Sequence, residues 1–171
     1  MLDMLDIEIK KDVLERVIAS VKAQIKAKEE ALTAIGDELG EHVSATEGRY
    51  DMRDTYLDEA RIIYHTHERH LKDLRKTLHD LELLRNRIST PVQRCSCGAL
   101  VKVEDISSKV REEYIFLPVG GRTVVEIGNR RITVVSLGTP IEQALRDAPI
   151  GKEVNILLPG TQKRVSVIAM A

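Results

Sequence analysis

Two apolar seams that mirror each other constrain this chain more than any other feature. Leu14, Ile18, Val21 and Ile25 recur at steps of three and four, followed by Lys28 and then Leu32, Ile35 and Leu39. Such a stripe on a helix needs a second stripe to cover it. The second runs through Leu57, Ala60, Tyr64, His67, Leu71, Leu74, Leu78, Leu81, Arg85 and Ile88, and charged residues fill the outer positions of both. Leu14 mirrors Ile88, Ile18 mirrors Leu84, Val21 mirrors Leu81 and Leu39 mirrors Ile63, each pair totalling 102, which places the fold-back at residue 51. Continuing the first seam would bury His42, Thr46, Arg49 and Arg53 and cross Gly36, Gly40 and Gly48, each glycine weakening a helix. Residues 1–90 therefore read as an antiparallel coiled-coil hairpin with its tip near 48–55. Arms of roughly 35–40 residues would reach ~50–60 Å at ~1.5 Å per residue. A dimerising coiled coil could use the same seams, but symmetry about a polar, glycine-flanked centre favours a hairpin within one chain, and hence a monomer.

Ser89-Thr90-Pro91 ends the second arm, because proline disfavours helix at the residue before it. After a linker at 91–97, residues 98–171 change texture. Val- and Ile-rich stretches at 100–104, 113–117, 123–127, 131–136, 153–157 and 164–168 alternate with turn residues such as Gly120-Gly121 and Gly128-Asn129, the pattern of short strands. The segment 139–148 reads instead as a short helix, with Thr139 as N-cap and Pro140 at its first position, and Pro149 and Gly151 beyond it. The expected class is α+β: a helical hairpin followed by a β-sheet domain with one short helix, about 70 residues and just large enough to hold a core.

Composition narrows the function. Formal net charge is −1, so bulk attraction to nucleic acid or an anionic membrane is not expected. Aromatic residues make up 3%, which argues against base-stacking platforms. The amino terminus lacks the layout of a signal peptide and no apolar run approaches membrane-spanning length, so a cytoplasmic protein without a membrane partner is expected. No nucleophile–base pair, phosphate loop or metal-spaced cluster stands out in the second half, so the chain does not read as an enzyme. His65, His67 and His70 lie close together, but His67 falls on the seam, where a tolerated histidine explains it better than a metal. Cys95-Ser96-Cys97 is half of a zinc site with no second pair to complete it, and reads as a reactive or structural thiol pair.

Three stretches carry a family resemblance. Thr139-Pro140-Ile141, continuing through Ala144-Leu145 to Ile150-Gly151-Lys152-Glu153-Val154, follows S-P-L/I-G-x-A-L-L-G … V-G-D-x-V. The run from Cys97 to Asp105 resembles a G-S-x-V-x-V-x-D opening strand, and Asp51-Met52-Arg53-Asp54 has D-x-x-E spacing. These motifs are similar to those of the bacterial Gre family of transcript cleavage factors, and the resemblance covers nearly the whole chain. Glu142 stands where the family usually has glycine, Arg146 and Asp147 replace Leu and Gly, and Thr55 replaces Asn.

The resemblance implies that the second domain has the FK506-binding-protein (FKBP-like) fold and docks on RNA polymerase through Thr139, Pro140, Ile141, Ala144, Leu145 and Gly151. It implies a hairpin that enters the polymerase's secondary channel, where Asp51 and Asp54 help hold a Mg²⁺ shared with the polymerase, so that the polymerase cleaves its own backtracked RNA. Mg²⁺ suits this role, since it takes one or two carboxylates and completes its shell with phosphate and water. No cofactor of the chain's own, and no metal bound by the free protein, is expected. Arg49, Arg53 and Arg61 become candidates for contact with phosphates or the RNA 3′ end. Without the resemblance, Asp51 and Asp54 read equally well as caps of the second helix, and the arginines as a solvated face. Some related proteins that keep the architecture but alter the tip inhibit polymerase, so a modulator that does not activate cleavage is the alternative. A peptidyl-prolyl isomerase, which would share the second domain's fold, needs an aromatic pocket, for which this domain offers only Tyr114 and Phe116.

Overall fold

The computed structural model describes residues 4–44, 51–90, 92–121, 123–158 and 160–171, with the backbone alone at 4, 38–44 and 51–57. The chain forms two long helices, α1 (Met4–Ser44) and α2 (Asp51–Arg85), and then a mixed sheet with one short helix. The strands are β1 (Leu100–Asp105), β2 (Arg111–Leu117), β3 (Val124–Ile127), β4 (Arg130–Ser136), β5 (Glu153–Leu158) and β6 (Thr161–Met170), with α3 (Pro140–Leu145) between β4 and β5. This is the expected α+β class.

The hairpin follows from its seams. Arg75 pairs with Glu29 at 2.7 Å and Arg85 with Glu15 at 3.7 Å, each total within two of the 102 that mirror pairing requires. Leu14, Ile18, Val21, Leu71, Leu81, Leu84 and Ile88 are buried, while Ile25, Leu32, Leu74 and Leu78 are half-buried. The expected partner of Leu39 differs: Ile63 is 50% exposed, and Ala60 and Tyr64 take the inward positions. A step of four from Ala60 to Tyr64 carries the stripe past position 63, and the side chain of Leu39 lies outside the described residues. Helix α1 continues across Gly36 and Gly40 to Ser44, a cost that the surrounding helix-forming residues of a 41-residue helix absorb. Residues 51–55 belong to α2, and 48–50 lie outside the described residues.

By compactness the chain divides into one body made of residues 1–18 and 80–171, and a second made of 19–79. In the first, the sheet order is β3-β4-β2-β1-β6-β5, with β2–β4 parallel and the other pairs antiparallel. Alternation along the strands gives the sheet two apolar faces. One carries Val101, Val103, Tyr114, Phe116, Val135, Val165 and Val167, and packs with Ile141 and Leu145 of α3. The other carries Leu100, Ile115, Leu117, Ile132 and Val134, all buried. Within this body, Ile9, Val13, Leu14 and Val17 of α1 with Leu84 and Ile88 supply the matching buried surface.

Gly98 is where strand side and helix side meet. Its φ is +86°, and a Cβ there would stand 2.9 Å from Leu84 Cδ1, so only glycine lets the chain enter β1 this close to the helix. At the far end, Arg130 binds Asp6 at 2.6 Å and Glu113 at 2.8 Å, and Lys102 adds a 3.0 Å contact to Glu113. A charged cluster thus closes the polar end of the same sheet face.

Candidate functional site

The segment singled out for docking is built around a variant of the capping box, in which the acid reaches the amide one residue before the N-cap. Thr139 (φ −74°, ψ 156°) caps α3, its Oγ1 accepting from the Glu142 amide at 3.4 Å and donating to the Ser136 carbonyl at 2.8 Å. Glu142 reaches back, its Oε2 accepting from the Gly138 amide at 2.8 Å. Pro140 sits in the first turn, where its missing N–H costs nothing. Arg146, one turn on, grips Glu142 with two hydrogen bonds of 2.7 Å. This bidentate grip, with the Gly138 amide, holds the Glu142 carboxyl below its usual range, although burial opposes it. The two departures from the family pattern are therefore one unit: an acid at 142 supplies the box and a cation at 146 neutralises it.

Helix α3 ends at Leu145, three residues before the expected boundary at 148. Asp147 adopts φ +57°, a left-handed turn that stops the helix before Pro149 does. Its amide donates to the Cys95 carbonyl at 3.0 Å, and the Cys95 amide donates to the Ala148 carbonyl at 3.3 Å. The linker is thereby stitched to the end of α3. Cys95 is buried in the core, and burial pushes its thiol up to about 11, so it is inert, while Cys97 is exposed. Gly151 takes φ +84°, and its amide donates to the Val167 carbonyl at 2.7 Å, turning the chain into β5.

The structure separates the docking candidates by burial. Ile141 and Leu145 lie in the core, Ala144 is half-buried, and Thr139 is half-buried with its hydroxyl engaged. Pro140 and Gly151 are exposed. Ile141 and Leu145 thus shape the segment, and its exposed side offers Pro140, Gln143, Ile150 (60% exposed), which the motif match included without a docking role, and Leu137 (42%), which sequence reasoning passed over. Nothing in the local pattern distinguished these two from core positions. Glu142 was legible as the fourth residue of a T-x-x-E box, but it drew notice only as a missing glycine.

At the other end, Asp51, Arg53 and Asp54 fall in the first turn of α2, their side chains outside the described residues, as is Arg49 altogether. Arg61 is exposed and reaches Asp58 at 3.5 Å. The backbone positions of the two acids therefore lie three residues apart in one helical turn. His65 contacts Glu68 at 3.1 Å, and His67 is half-buried on the seam, its Nδ1 without a hydrogen-bond partner. Tyr114 and Phe116 are both buried in the sheet core. Among the described residues no helix is long and apolar enough to cross a membrane.

Fold and site together define a class: a two-helix hairpin followed by a mixed-sheet domain with one short capped helix. No known family profile matches the chain, and no curated protein does. Among solved structures the chain is similar to GreA factor homolog 1 (Gfh1) of Thermus thermophilus, at 18% identity over 90% of this chain and 94% of that one, TM-score 0.38. It is similar to Thermus aquaticus Gfh1 at 18% identity over 89% and 92%, TM-score 0.39. A prokaryotic transcription elongation factor GreA/GreB from Nitrosomonas europaea matches at 19% over 55% and 78%, TM-score 0.36.

Proposed function

We propose that this protein is a Gre-like transcription elongation factor that binds RNA polymerase, places its hairpin tip in the secondary channel and stimulates cleavage of backtracked RNA by the polymerase. The observation that carries this reading is the 139–154 segment. Its residues resemble the Gre docking motif, and the matched positions have definite work: Thr139 caps, Pro140 starts the helix, Ile141 and Leu145 anchor it, and Gly151 turns the chain. The chain is a factor without catalysis of its own, acting in the cytoplasm as a monomer.

In this reading Asp51 and Asp54 present two hard oxygen ligands from one turn of α2. That set fits a Mg²⁺ ion, which stabilises charge on the attacking and leaving oxygens when bound at the polymerase centre. Arg49 and Arg53 flank the acids and pair with phosphate oxygens near the RNA 3′ end, and Arg61 can do so by releasing Asp58. The second reading, a modulator that slows synthesis without activating cleavage, is favoured by one observation: Asp54 and Thr55 stand where the family has Glu and Asn.

The test adds the full-length protein to a stalled, backtracked polymerase complex and follows the RNA 3′ end. Wild type should accelerate cleavage, and the Asp51→Asn/Asp54→Asn double variant should lose that stimulation while binding polymerase as before. Slowed nucleotide addition without cleavage at any Mg²⁺ concentration would establish the modulator instead. Full cleavage by the double variant would reduce both acids to helix caps.

A further inference from the structure

The hairpin base and the linker form a groove of about 540 Å³ that shares Leu137 with the docking segment and is otherwise built from residues the polymerase reading does not use. Leu83, Leu84, Ile88, Pro118 and Leu137 give it mainly apolar walls, and Lys10 and Arg87 also line it. Asp80 is the one acid among its described lining residues. Lys10 sits one helical turn before Leu14, a position where the α1 seam would carry an apolar residue, and it is only 1% exposed. No described residue hydrogen-bonds or ion-pairs with it. Asp6, the acid whose field it feels, is held by Arg130 at 2.6 Å, and burial drives the ammonium below its ordinary range. The stem of Lys10 is buried and what little of the residue meets solvent lies in the groove; an ammonium so poorly hydrated is costly without an anion, and an apolar side chain would fill the position at no such cost.

We infer that this groove docks a protein segment that sets a carboxylate between apolar side chains, the carboxylate pairing with Lys10 and Arg87 and the apolar groups covering Leu83 and Leu137. Charge selects the occupant: two cations against one acid line the groove. Size selects a peptide over a small anion. Leu83 and Leu137 are 47% and 42% exposed, and a free carboxylate would leave both in water. The site is separate from the acidic tip and requires no polymerase.

The test uses isotope-labelled full-length protein and three probes: the blocked peptide Ac-Ala-Leu-Glu-Leu-Ala-amide, its Gln counterpart, and sodium acetate. Saturable shifts are expected in the methyl resonances of Leu83, Leu84 and Leu137 and in Lys10 Cε with the Glu peptide, and at least tenfold weaker binding with the Gln peptide. Lys10→Met should erase that preference. If this variant fails to fold, Arg87→Gln, at an exposed position, should lower the preference severalfold. Equal affinity for the two peptides, no saturable shift, or acetate moving Lys10 with no peptide bound would each overturn the proposal, the last by showing a simple anion hole.

Discussion

Replacing Glu142 by Gly and Arg146 by Leu, singly and together, would restore the family pattern at two positions and test whether they act as one. Glu142→Gly leaves the Gly138 amide without its acceptor, about 1 kcal/mol, and puts glycine into a short helix for about another 1 kcal/mol. The ion pair itself adds little, because the Arg146 side chain is 54% exposed and screened by water. The single variant should therefore lose about 2 kcal/mol. Arg146→Leu should lose about 1–2 kcal/mol, since it strands a carboxylate only 6% exposed. The double variant should fall short of the sum by about 1 kcal/mol, the coupling expected of contacting partners, and the backbone cost of glycine cancels in the cycle. Native-state hydrogen exchange reads this directly at the Gln143 and Arg146 amides, which donate to the Thr139 and Glu142 carbonyls at 2.8 Å each. The coupling also has a sign in pH. The folded-state pKa of Glu142 is depressed, so its contribution is complete above the ordinary carboxylate value of about 4.3 and disappears as pH falls through the lower folded value. Costs that add within about 0.3 kcal/mol at neutral pH, or a coupling that survives full protonation, would refute the paired reading.

Gly98→Ala should destabilise the full chain by about 2–4 kcal/mol, combining left-handed strain with the clash against Leu84; urea unfolding indistinguishable from wild type would contradict this. Gly36→Ala should stabilise α1 by about 0.5–1 kcal/mol, because a Cβ there meets nothing within 4 Å, seen as slower exchange of the flanking helical amides. Spin labels at Lys26 and Lys76, with Cys95→Ala and Cys97→Ser, should stay close after dilution into unlabelled protein, and loss of that proximity would indicate pairing between chains.

Much of this architecture was legible because periodicity reports burial. The mirrored seams located both arms, and all six strands fell where Val and Ile cluster. The discrepancies have physical causes. β2 begins at Arg111 instead of 113, because Arg111 and Glu112 are tied into the ladder opposite Glu104 and Val103. That pairing is made by backbone and charge and leaves no apolar signal. β6 starts at Thr161 with a polar Thr-Gln-Lys stretch, for it must pair with β5 on one side and β1 on the other. The end of α3 was hidden in the backbone conformation of Asp147, a residue type that tolerates left-handed φ without announcing it. At the site, motif spacing located Thr139 and Pro140. Which neighbours remain exposed was decided by the sheet beneath them, and a linear pattern does not carry that.

The body containing the sheet is made of two separate stretches of chain, 1–18 and 80–171, so residues 19–79 are in effect an insertion in the middle of a domain. Whatever the arm reaches, its length can change without rebuilding the part that folds around the sheet. Deleting one heptad from each helix of this unit keeps the seam in phase and shortens the unit by ~10 Å. Adding one extends it by the same step. The length of this unit is therefore a modular quantity, adjustable in increments of about 10 Å by paired heptads, and a ladder of such variants would serve as a ruler for the depth of any channel it enters.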